Sequence, residues 1–213
     1  MAREILLVRH GEAYNSVEPD GLREVSDRSN PPLTPRGEAQ AEAVARRVGQ
    51  FAPDRVVASP FLRTSQTAFA YLELADALGA TDVRLSEHFM FRSLLDFPGV
   101  DLEDHQARFA DRLSVAPELT TRDAFPAFPE SDASVLARAS DLVDEWLARD
   151  DWSRLAFFCH WATVVAVTRA FLPEADFEPM HCSVTHLVEE EDGSWRAIDI
   201  NASDHLPEQL RTL

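Results

Sequence analysis

Arg9, His10 and Gly11 follow directly on an apolar run over residues 5–8, and a buried strand that stops at a cation, an imidazole and a glycine is the first place to look for a site. In open α/β sheets, ligands bind just outside the carboxyl ends of the strands. Arg9 offers a planar fork of donors for a carboxylate or phosphate. His10 can serve as nucleophile, base or ligand, and Gly11 lets the backbone turn sharply beside a ligand. An isolated Arg-His-Gly reads better as a turn with a surface ion pair, so its companions decide. His160 ends a second apolar run, over 155–159. Arg63 lies in the first turn of a helix expected after a strand over 53–58, and Glu87 comes just past a strand-like piece over 82–85.

Two guanidiniums and two imidazoles make an anion pocket matched to a phosphoryl group. A neutral imidazole attacks phosphorus competently, because a covalent intermediate splits one hard step into two easier ones. Preorganised arginines stabilise the charge on the equatorial oxygens. A carboxylic acid can protonate the departing alkoxide and then, as a carboxylate, take a proton from the attacking water. For Glu87 to act as an acid near neutral pH, burial under the neighbouring Phe-rich segment would have to raise its pKa.

The elements that must carry these groups are marked in the sequence. Thr34-Pro35 is a cap-plus-proline start, and Ala41, Val44, Ala45 and Val48 recur at helical spacing until the helix ends near Gly49. Ser59-Pro60 repeats that signal and opens the helix carrying Arg63. Residues 13–33, with Pro19, Asp20, Gly21, Asn30, Pro31 and Pro32, form a long polar loop directly after the site strand; loops of this length inside a compact domain are often functional. Residues 89–129 show no clean period, are rich in Phe and carry Arg92, Arg108, Arg112 and Arg122. They read as a partly helical insertion covering the strand ends. Glu130-Ser131-Asp132 caps an amphipathic helix whose stripe includes Val135, Leu142 and Trp146. A helical pattern over 163–172 follows His160. Runs over 183–189 and 194–200 flank Glu190-Glu191-Asp192-Gly193 as an antiparallel hairpin, whose acidic tip blunts a sheet edge.

Composition bounds the possibilities. The chain has 213 residues, 45% hydrophobic and 27% charged, which suits one domain over 1–213 with an ample core. No apolar run is long enough to span a bilayer, and Met1-Ala2-Arg3-Glu4 runs straight into a core strand without a signal-peptide layout. Two cysteines, Cys159 and Cys182, make no disulfide framework, so the expected location is the cytoplasm. A formal charge of -17 argues against nucleic acid and anionic membranes as partners. Every basic residue is an arginine, which excludes Schiff-base lysine chemistry and a P-loop lysine.

Taken in order, Leu7-Val8-Arg9-His10-Gly11-Glu12, Leu33-Thr34-Pro35-Arg36-Gly37 with Gln40-Ala41, Ala58-Ser59-Pro60-Phe61-Leu62-Arg63-Thr64-Ser65-Gln66-Thr67-Ala68, Glu130-Ser131, His160 and Asn201-Ala202-Ser203-Asp204-His205-Leu206 resemble the histidine phosphatase superfamily, also called phosphoglycerate mutase-like, nearly end to end. The resemblance implies His10 as the phosphorylated nucleophile. It implies Arg9, Arg63 and His160 as ligands of the phosphoryl oxygens, Glu87 as the acid and base, and neither metal nor organic cofactor. It also implies a substrate-binding Asn shortly after the first motif. Asn15 is the candidate, one residue nearer the histidine than usual. Trp161 stands where the family usually has Gly.

Glu103, Asp101 and Glu12 remain rivals to Glu87. His88 flanks the acid, His105 reads as a surface residue, and His181, His186 and His205 read as structural. Cys182 and His186 on one strand make a poor zinc chelate, and Cys159 should point away from His160 because side chains alternate along a strand. The expected fold is a three-layer α/β/α sandwich with a mostly parallel central sheet and an antiparallel edge hairpin. The expected activity is metal-free hydrolysis of a small phosphorylated metabolite. The alternatives are a cofactor-dependent phosphoglycerate mutase, disfavoured by the Phe and Asp in the insertion, and a non-catalytic phospho-ligand binding protein.

Overall fold

The computed structural model describes residues 2–17 and 21–213; Pro19 and Asp20 of the expected loop lie outside the described residues. A seven-stranded sheet is built from β1 (Glu4–Arg9), β2 (Arg55–Ala58), β3 (Gly79–Thr81), β4 (Leu113–Ser114), β5 (Arg154–Cys159), β6 (Val184–Glu189) and β7 (Trp195–Ala202) in the order β4-β3-β2-β5-β1-β6-β7. β1 and β5 pair in parallel with Arg9 opposite Cys159, and β2 pairs in parallel with β5. β6 runs antiparallel to β1 and β7 antiparallel to β6, so the hairpin forms the expected edge.

Alternation along the strands sorts their side chains into two cores. Leu6, Val8, Val56, Ala58, Ala156 and Phe158 pack with residues of α1 (Pro35–Phe51) and α2 (Leu62–Leu74) on one face. Ile5, Leu7, Val57, Leu155, Phe157 and Cys159 pack with α4 (Asp132–Leu147) and α5 (Trp161–Phe171) on the other. The architecture is therefore the expected three-layer sandwich. Both cysteines are free and buried.

Local readings differ in three places. The strand-like piece over 82–85 is a 3-10 turn, because the Asp82 side chain accepts from the Arg84 amide and closes it; the strand lies just before it, at β3. Ser59 does not cap α2, whose N-cap is Phe61; the Leu62 amide donates instead to Asn30 Oδ1 from the loop. His105 is not on the surface: it is buried on α3 (Leu102–Phe109), with its Nε2 2.9 Å from the Leu113 carbonyl and its ring against Phe109. The insertion is partly helical, as expected, and also supplies β4 at the sheet edge. It is anchored by a separate core of Phe89, Leu94, Phe97, Val100, Leu119 and Phe125 around Phe61.

Candidate active site

Because β1 and β5 are parallel neighbours, the chain delivers His10 and His160 side by side, and the His10 amide donates to the Cys159 carbonyl at 3.0 Å. The two rings meet edge to face with centroids 5.0 Å apart. His10 is buried, and its Nδ1 lies 2.7 Å from the Gly11 carbonyl. A carbonyl only accepts, so Nδ1 carries the proton and Nε2 presents its lone pair. Arg63 Nε donates to that Nε2 at 3.3 Å. Burial, with Arg63 and the other cationic and imidazole groups around it, holds the His10 pKa well below the usual imidazole range, so the ring is neutral.

Arg63 enters from the second residue of α2 and is 1% exposed. Its Nη2 lies 3.2 Å from both Glu87 Oε2 and His160 Nδ1. A guanidinium only donates, so His160 Nδ1 accepts and Nε2–H faces Ser59 Oγ at 2.8 Å and Thr64 Oγ1 at 3.2 Å. Burial first, then Arg63, pushes the His160 pKa down to about 4. His10, Glu87 and His160 bring their ligand atoms within 4.8 Å of one another, a grouping that could hold a metal ion. Arg63 already contacts all three, so a fixed cation lies against that donor set.

Glu87 departs from expectation. Burial works to raise its pKa, but the Arg63 guanidinium and the His88 amide, which donates to Oε1 at 2.9 Å, hold it well below the carboxylate range. It is an anion. Its rivals are elsewhere: Asp101 and Glu103 are exposed at the start of α3, and Glu12 is bound to Thr34 and Arg36.

Arg9 is buried, with Nη1 donating to the Pro179 carbonyl and Nη2 lying 2.9 Å from His181 Nε2; its Nε has no partner among the described residues. Burial lowers its pKa to about 10, which leaves it a cation. His181 therefore does more than fill the core, since it holds a guanidinium of the site and is itself held by Thr212 Oγ1 at 2.9 Å and Ser16 Oγ at 3.2 Å. Sequence reasoning passed over His181, Ser59 and Thr64. The available signal for His181 was the hairpin: β6 antiparallel to β1 puts the residues before β6 beside the end of β1. His186 pairs with Glu4 and His205 with the Cys182 carbonyl, both away from the site.

Part of this cluster floors a cavity of about 580 Å³, while His160 and His181 lie buried behind its lining. Arg9, His10, Arg63 and Glu87 line it together with Asn15, and the insertion adds Met90, Phe91, Arg92 and Leu94. Trp161 also faces it.

The sequence model of the histidine phosphatase superfamily (branch 1) matches residues 5–203. The chain belongs to the histidine phosphatase superfamily. A probable phosphoglycerate mutase GpmB of Enterobacter sp. (strain 638) is 39% identical over 87 residues, which cover 39% of this chain and 37% of that protein. Its counterpart in Proteus mirabilis (strain HI4320) is 36% identical over 84 residues, 39% of this chain and 37% of that one. The match thus spans well under half the length of these curated relatives. Among solved structures of the superfamily fold, a mycobacterial glucosyl-3-phosphoglycerate phosphatase complexed with VO3 aligns with a TM-score of 0.67 and 25% identity, covering 95% of this chain and 100% of that one. A phosphoserine phosphatase from Entamoeba histolytica aligns with a TM-score of 0.66 over 96% of this chain and 100% of that one; at 19% identity it shares the fold.

Proposed function

We propose that the chain is a metal-independent phosphomonoesterase working through a phosphohistidine on His10. The observation that carries this reading is the tautomer: Nδ1–H is tied to the Gly11 carbonyl, and a bare Nε2 faces Arg63 in a buried cationic pocket. In this reading His10 Nε2 attacks phosphorus while Arg9 and Arg63 receive the phosphoryl oxygens, and His160 joins them by taking a proton on Nδ1 as the dianion enters and raises its pKa. The phosphorus–oxygen bond to the alcohol breaks. A phosphoryl dianion entering beside Glu87 raises the carboxyl's pKa by like-charge repulsion, so Glu87 takes up a proton on binding and passes it to the leaving alkoxide. The resulting carboxylate then accepts a proton from water, which attacks the phosphohistidine and releases inorganic phosphate. Asn15, on the cavity wall, is assigned to the substrate.

The test is hydrolysis of p-nitrophenyl phosphate and a panel of metabolite monoesters, with trapping of phosphoprotein by an alkaline SDS quench. Phosphate release, a base-stable and acid-labile phosphoprotein, and loss of both in His10→Ala are expected. A folded His10→Ala protein that retained substantial turnover would remove His10 from the role. EDTA should leave the rate unchanged, since Arg63 supplies a fixed cation against that donor set; a loss restored by added zinc or magnesium would overturn the metal-free reading.

The mutase reading rests on the names of the relatives matched over 87 residues. The same panel with 2,3-bisphosphoglycerate decides it, because a mutase would isomerise phosphoglycerate only when the bisphosphate is present. Silence in every arm favours the binding-protein alternative.

A further inference from the structure

The cavity is chemically divided. Its buried lining includes Arg9, His10, Arg63 and Glu87, whereas its exposed lining is dominated by large apolar side chains. Met90, Phe91 and Trp161 all line it, and they are 54%, 53% and 43% exposed. Most large apolar side chains of this protein are buried in the three cores, so exposed ones gathered around a single cavity mark a binding surface rather than chance exposure. Leu94 continues this wall, and it is fixed in the insertion's Phe core. Trp161 is the first residue of α5, directly after His160, so the indole is carried on a rigid element beside the phosphoryl site. Arg92, on the same 3-10 turn as Leu94, adds a planar cation to the lining. A guanidinium of this kind stacks readily on an aromatic face.

Size points the same way. A cavity of about 580 Å³ lies within the range that houses a drug-sized ligand (roughly 300–1,000 Å³), and a phosphoryl group with a three-carbon chain leaves most of it empty.

We infer that the natural substrate is a phosphomonoester whose alcohol carries an apolar, ring-sized body, held against Met90, Phe91 and Trp161, and not a small polyol or phosphoglycerate. This rests on the phosphomonoesterase reading and names its substrate class. No new chemical step is required: the phosphoryl end binds as already described, and the body sets the choice among esters.

Aryl esters would confuse leaving-group chemistry with recognition, so the experiment compares alkyl esters of similar leaving-group basicity. Hydrolysis of 2-(2-naphthyl)ethyl phosphate and ethyl phosphate is measured in the wild type, Trp161→Gly and a Met90→Ser/Phe91→Ser double variant. The wild type should show kcat/KM about tenfold or more higher for the naphthyl ester, carried mainly by KM. Both variants should shrink that ratio by several-fold. Equal kcat/KM for the two esters in the wild type, or a ratio unaltered in both variants, overturns the inference. A parallel binding measurement separates this from the phosphatase reading. Naphthylethyl phosphonate should bind about tenfold tighter than ethyl phosphonate even if no ester is turned over. Tighter binding without turnover sinks the phosphatase reading and keeps the ligand class, whereas turnover of esters without any aromatic preference does the reverse.

Discussion

At the scale of single residues, the site stores its reactivity in two proton positions. His10 is neutral because burial and the nearby cations disfavour a further charge, so its nucleophilicity persists well below the pH at which an exposed imidazole is half protonated. Glu87 is the opposite case, an anion whose proposed work as an acid needs a proton. The sign follows. In free enzyme the lowered pKa makes the protonated form scarce as pH rises, whereas in the substrate complex the added dianion lifts the pKa. The descending limb of kcat should therefore lie at higher pH than that of kcat/KM. Both profiles for an alkyl phosphate should be compared with Glu87→Gln, which shares the substrate's own ionisation. If the two wild-type limbs coincide, Glu87 is not the acid. Glu87→Gln should also slow alkyl esters by about 100-fold or more and p-nitrophenyl phosphate much less, because p-nitrophenolate departs with little protonation. His181 makes a second residue-scale case. With its Nε2 gone, Arg9 loses a partner that fixes its guanidinium, so His181→Ala should raise KM and weaken vanadate binding by roughly tenfold, while His181→Gln restores part of both. Unchanged vanadate affinity in the alanine variant would show that Arg9 holds its place without help.

At the scale of elements, the site depends on how closely α1 approaches the turn after β1. A Cβ on Gly37 would lie 1.9 Å from the Glu12 carbonyl oxygen, and one on Gly11 would lie 2.6 Å from the Gly37 carbonyl oxygen. Only a pair of glycines allows that backbone-to-backbone contact, which sets α1 against the loop carrying His10. Gly37→Ala must push helix and loop apart. A loss of about 1–3 kcal/mol in denaturant unfolding and a fall in kcat are expected together. Wild-type stability would mean that the helix yields without cost. The same elements show what could be read from sequence. Thr34 caps α1 through its side chain, accepting from the Gly37 amide at 3.0 Å, as its type and the following proline announce. The identical signal at Ser59-Pro60 misleads, because the Ser59 hydroxyl serves His160 across 101 positions of sequence. Local propensity cannot weigh a partner that only the parallel β2–β5 pairing brings near. His105 was misplaced for the same reason: it lies in a segment without apolar period, and its burial depends on Phe109 and on the carbonyl of Leu113 in β4.

At the scale of the whole molecule, the alternation of apolar strands made the three layers legible, and the motif order made the floor of the site legible. The rim was not, because Met90, Phe91 and Trp161 share a cavity only through tertiary packing. Net charge adds a term that no single contact reveals. With a formal charge of -17, the long-range field repels the dianion that the proposed mechanism assigns to the buried arginines. Exposed charges more than about 8–10 Å apart are largely screened at physiological salt, whereas buried pairs are screened much less. Raising ionic strength should therefore weaken the repulsion on approach more than the attraction in the pocket. For a dianionic ester, kcat/KM should rise by a few-fold between about 10 and 150 mM sodium chloride, with kcat nearly constant. Chloride entering the cationic floor would act in the opposite direction, so the measurement is repeated with sodium acetate to separate competition from screening. A fall in kcat/KM in both salts would show that Arg9, Arg63 and Arg92 dominate the potential at the cavity mouth, and that capture is steered by the pocket against the charge of the rest of the surface.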